Sequence, residues 1–207
     1  MSDAKISPTN SALDRRRGAT AGHTGDIDVA RQLTTHPDAD VRATAYAALC
    51  RLRALTPSDF LATQLDASAD VRRRSAEWII QHQANNEIAV PHLVALTADQ
   101  DAMTVETACW AIGELAQPPD VAIQAVIGAA SHMDPLVREA AVAALGAMGD
   151  PRGLPAILNG TLDKPAIRRR AVLALSPFDG PDVDATLQRA LTDRDWQVRQ
   201  AAEDLLD

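Results

Sequence analysis

Few side chains in this sequence stand at spacings that chemistry uses. The five histidines, His23, His36, His82, His92 and His132, are scattered, and no pair has the i, i+4 spacing of a zinc-binding HExxH helix. Each reads as a turn or surface residue. Cys50 and Cys109 sit in apolar helical stretches without metal-ligand spacing and read as buried, reduced thiols. There is no glycine-rich phosphate loop and no GxSxG elbow. The sequon at Asn159 carries no meaning in a cytoplasmic chain. The residues therefore predict no catalytic group, no metal and no cofactor.

Recurrence is the dominant signal. Arg42, Arg72, Arg138, Arg168 and Arg199 each follow an aliphatic residue. Those aliphatics, with Thr104 filling one gap, form a column of Val41, Val71, Thr104, Val137, Ile167 and Val198, spaced 30–33 residues apart. Four residues on stands a small side chain (Ala45, Ser75, Ala108, Ala141, Ala171, Ala202), and eight on an aliphatic (Leu49, Ile79, Ile112, Leu145, Leu175, Leu206). Offsets of 0, 4 and 8 share one helix face, and the small column lets a neighbouring helix come close.

Three residues before each anchor stand Asp38, Ser68, Asp101, Asp134, Lys164 and Asp195. All but Lys164 are good N-caps, and Asp163 offers a shifted cap beside it. Between these helices lie shorter amphipathic stretches, from "DIDVARQLTT" to "PDVDATLQRALT". The pattern predicts six helical hairpins over residues 25–207, each burying its apolar face on the next. Residues 1–24 are polar, basic and without periodicity, which predicts a disordered tail.

The segment "DPLVREAAVAALGAMGDPRGLPAIL" resembles a short HEAT repeat of the type first associated with phycobilisome lyases, and the resemblance extends over residues 25–207. It is weakest at "MTVETACWAIGEL", which lacks the Val-Arg pair. The resemblance implies an all-α, right-handed solenoid with the second helices on its concave face. It also implies that Arg42, Arg72, Arg138, Arg168 and Arg199 form a structural ladder, each pairing with a capping Asp of its own or an adjacent repeat. Val105 interrupts that ladder. The alternative, a cationic ladder for phosphate, is the weaker reading, because stacked repeats readily tie to their neighbours.

On that concave face Trp110 stands six residues after its anchor, about 240° round the helix and away from the core stripe. Ala143 and Leu173 share its column. With Arg73, Glu77, Glu106, Glu139 and Arg169 around them, they predict an apolar strip with a charged rim, the usual build of a binding hot spot. A second reading folds Trp110 into a gap between repeats. Trp78 and Trp196 read as packing residues.

The net charge of −8 argues against general affinity for nucleic acid or anionic lipid. No apolar run is long enough to span a membrane. Arg15-Arg16-Arg17 lacks the apolar segment of an export signal. The expectation is a cytoplasmic, non-catalytic scaffold that binds a partner protein or peptide. Self-assembly into a homodimer is the alternative. Bilin-lyase and DNA-glycosylase activity rest on fold analogy alone.

Overall fold

The computed structural model describes residues 8–83 and 85–206 of the chain, with side chains from residue 10 onward. Every regular element among them is helical. The described residues pack as two compact units, one through His92 and one from Leu93.

The first unit holds α1 (Pro8–Thr24), α2 (Ile27–Leu33), α3 (Ala39–Arg51), α4 (Pro57–Gln64), α5 (Ala69–Gln81) and the start of α6 (Asn86–Leu96). The second continues from α6 through α7 (Ala102–Gly113), α8 (Asp120–Ala129), α9 (Pro135–Met148), α10 (Leu154–Gly160), α11 (Pro165–Ala174), α12 (Pro181–Ala190) and α13 (Trp196–Leu206). Taken in order, α2–α3 through α12–α13 are the six expected hairpins.

The second helix of each hairpin starts at its expected cap. Asp38, Asp101 and Asp134 accept backbone N–H groups of α3, α7 and α9 through their side chains, which satisfies donors left free in the first turn. Lys164 and Ser68 occupy the cap position without a side-chain bond. The anchor column and the small column are at most 1% exposed throughout. So is the third column, except Leu206, which is 42% exposed.

Residues 8–24 correct the expectation of a disordered tail, because they form α1; residues 1–7 lie outside the described residues. The helix packs on α3 at Gly18 and Gly22, and Ser11, Gly18, Ala21 and Gly22 are all buried. A β-carbon at Gly22 would stand 3.0 Å from both Cα and Cβ of Ala48. That contact needs small residues rather than large apolar ones, so the helix carries no hydrophobic periodicity to read. Rows of small residues let two helix backbones approach.

The same device recurs in the second unit. A β-carbon at Gly113 would lie 3.1 Å from Ala144, and one at Gly146 would lie 2.6 Å from the Ala174 β-carbon. In the first unit the corresponding residue of α3 is Cys50, whose Sγ contacts the Trp78 carbonyl at 3.7 Å. Trp78 is buried and stacks on Tyr46 with ring centroids 5.8 Å apart. Trp196 differs from expectation: it opens α13 and is 64% exposed.

Candidate functional site

The arginine ladder is built, but its partners stand just ahead of the expected caps. Arg42 grips Asp66 with two bonds of 2.6 and 2.7 Å. Arg138 grips Asp163 at 2.7 and 2.9 Å, and Arg168 grips Asp193 at 2.7 and 2.9 Å. In each case a guanidinium fork meets a carboxylate of the following hairpin in planar, bidentate fashion. The remaining N–H groups turn back on the arginine's own hairpin: Arg42 donates to the carbonyls of His36 and Pro37, Arg138 to those of His132 and Met133. Arg72 and Arg199 likewise donate to the carbonyls of Asp66 and Asp193.

The accepting carboxylates have a second role. Asp66 and Asp193 accept the backbone N–H of the cap residue, and Asp163 accepts that of Lys164. One side chain thus shapes its own turn and anchors the preceding repeat. The Arg138 hydrogen bond holds the Asp163 carboxyl below the usual carboxylate range, and Arg168 does the same for Asp193.

Where the ladder stops, both halves are missing. Val105 replaces the arginine of α7, and His132 replaces the acid of the next turn, its Nδ1 accepting the Asp134 N–H at 3.0 Å. At the first rung the polarity is reversed. Asp14 of α1 stands 3.6 Å from His36 Nε2, while His36 Nδ1 accepts the Asp38 N–H. His36 and His132 are therefore turn residues, as the sequence predicts.

His92 is not. It is 4% exposed within α6, its Nε2 lying 2.8 Å from Ser75 Oγ, and Phe60 packs edge-on against its ring. Burial lowers its pKa to about 4, so the imidazole is neutral at pH 7. The serine hydroxyl also bonds to the Arg72 carbonyl at 2.5 Å. Both partners lie inside the core, and the His92 Nδ1 is buried there without a hydrogen-bond partner among the described residues. Cys50 and Cys109 are free and buried, and burial pushes the Cys109 thiol up to about 12. Among the described residues no three of His, Cys, Asp and Glu converge as metal ligands.

Trp110 is 43% exposed. It walls a groove of about 370 Å³ between α7 and α9. Gly113, Ala140, Ala143, Ala144 and Ala147 form the small-residue floor, Leu136 stands opposite, and Glu106, Glu114, Glu139 and Arg170 form the rim. The close helix contact at Gly113 and Ala144 creates the trough, since side chains on either side must splay around it. Leu173, 37% exposed, lines an adjoining depression with Ala143, Gly146 and Arg170.

Of the predicted rim, Glu106 and Glu139 line the groove and Arg169 does not. That side chain is half-buried and outside the groove, whereas Arg170 lines it and reaches Glu139 at 3.8 Å. Arg170 belongs to α11, the helix beyond α9, where it stands three residues past the Ile167 anchor. Arg73 and Glu77 belong to the first unit, where Arg73 bridges Asp70 at 2.6 Å and Glu77 at 3.7 Å. Glu114 escaped the sequence reading because it caps the end of α7, yet the repeat of four from Glu106 through Trp110 was its signal.

A family model for HEAT repeats matches residues 90–166 and 123–207, more than half of the chain. The chain belongs to the HEAT-repeat family, and its fold is an all-α solenoid of HEAT-like hairpins. Escherichia coli YibA is similar in structure, with a TM-score of 0.74 at 19% identity, over 99% of this chain and 77% of that one. A designed armadillo repeat protein in complex with the peptide (KR)4 superposes with a TM-score of 0.58 at 17% identity, over 94% and 97% of the two chains. Human deoxyhypusine hydroxylase aligns at 0.50 and 19% identity, over 99% and 80%. No curated protein matches the sequence significantly. No helix among the described residues is long and apolar enough to cross a membrane.

Proposed function

We propose that this protein is a non-catalytic, cytoplasmic interaction scaffold that holds a segment of a partner protein in the groove between α7 and α9. The observation that carries this reading is the exposed Trp110 on a groove wall. A solvent-facing indole over a floor of alanines loses apolar surface to any occupant, and such aromatics concentrate binding energy. Glu106, Glu139 and Arg170 on the rim set register and specificity through charge. Arg42, Arg138 and Arg168 serve structure, since carboxylates of the stack occupy their forks. The designed armadillo protein that holds a peptide lends the reading general support, as an example of an extended ligand on a helical-repeat surface.

The test is affinity capture from host lysate with three baits: wild type, Trp110→Ala and Trp196→Ala. Trp196 is the more exposed indole, at 64%, and controls for general stickiness. A partner retained by Trp196→Ala and lost by Trp110→Ala supports the groove. A partner retained by both variants contradicts it. Self-association is the second reading. Light scattering at tens of micromolar separates a monomer from a dimer.

A further inference from the structure

Resting on the groove reading above, we propose that the occupant is a basic segment, with an Arg or Lys side chain lying on the Trp110 indole between carboxylates. Glu106, Trp110 and Glu114 are spaced i, i+4 and i+8 along α7, so an acid stands one turn before and one turn after the ring. Glu139 approaches from α9 across the trough, and all three carboxylates line the same cavity as the indole.

The rim's single cation is Arg170, which lies against Glu139. Three glutamates against one arginine leave the lining two negative charges in excess. The chain as a whole adds to that field at −8, which draws cations in and repels anionic segments and nucleic acid.

An aromatic face attracts a cation through its quadrupole. Here the same position is within reach of carboxylates that can accept its N–H groups. Arginine suits the site better than lysine, because a planar guanidinium stacks on the indole while its edge bonds to oxygen. The alanine floor accepts the aliphatic stem of either side chain. A purely apolar segment would use the floor and the ring, yet would partly desolvate three glutamates that share one arginine.

Dye-labelled octapeptides of alternating Arg-Leu, Lys-Leu and Gln-Leu, matched in apolar content, test this by fluorescence anisotropy with the full chain. The indole N–H signal of Trp110 is followed by NMR alongside. The Arg-Leu peptide is expected to bind about tenfold tighter than Gln-Leu or better, and to weaken with added salt. Glu106→Gln with Glu139→Gln should remove most of that advantage, while Trp110→Ala weakens every peptide. These glutamates are partly solvent-facing, so the substitutions leave the fold intact.

Equal binding of Arg-Leu and Gln-Leu peptides, still lost in Trp110→Ala, would overturn the basic occupant and leave the groove standing. Binding indifferent to Trp110→Ala, or no binding by any of the peptides, would overturn both.

Discussion

Gly146 of α9 lies against Ala174 of α11 so closely that a β-carbon on the glycine would stand 2.6 Å from that of the alanine and 2.7 Å from its Cα. The obstacle is backbone, which cannot swing aside as a long side chain could. Gly146→Ala is therefore expected to destabilise the protein by about 1–3 kcal/mol, although alanine is the better helix former. Urea unfolding of the variant measures this; an unchanged or raised midpoint would show that the helices can part without cost.

The ladder rung between Arg138 and Asp163 joins two half-buried side chains in a bidentate pair. A double-mutant cycle with alanine at both sites should give a coupling of about 1–2 kcal/mol, above the value of an exposed pair. A coupling near zero would mean that the rung is decoration.

The missing rung makes a complementary case. Val105 is 1% exposed and faces a turn that carries His132 instead of an acid. Val105→Arg alone should destabilise, for it buries a guanidinium without a carboxylate. His132→Asp added to it should recover part of the loss. Calorimetry of the two variants gives the comparison, and equal melting temperatures would contradict the account.

His92 makes stability depend on pH in a defined sense. Its folded pKa is about 4 against an ordinary 6.5, so the unfolded chain binds the extra proton between those values. Stability that is complete above pH 6.5 is then lost as pH falls toward 4, by about 3 kcal/mol for this group. His92→Gln should flatten the profile of unfolding free energy across that window. A wild-type profile already flat from pH 7 to 4.5 would count against the buried neutral imidazole.

What the sequence makes legible depends on the kind of contact involved. Val41, Val71, Val137, Ile167 and their companions announce the second helices, because large side chains repeat on one face and the caps precede them. α1 was hidden because its contact with α3 is made at Gly18 and Gly22, residues that a hydrophobicity reading scores as loop.

In the groove, Glu106, Trp110, Glu139 and Ala143 follow from helical spacing together with the concave face that the HEAT resemblance implies. Arg170 in place of Arg169 does not, since it depends on which side of α11 faces α9, a matter of packing between helices. The exposure of Trp196 is of the same kind: its place near the start of α13 is readable, but the absence of packing over it is not.

The central claim is that Trp110 is a binding residue and not a core residue, and one variant measured twice tests it most directly. Trp110→Ala should leave the urea unfolding free energy within about 1 kcal/mol of wild type, because the residue is 43% exposed and outside the core, while the partner captured by wild type is lost. A loss of about 3–5 kcal/mol, the cost of deleting a buried tryptophan, with capture preserved at a temperature where the variant stays folded, would contradict it.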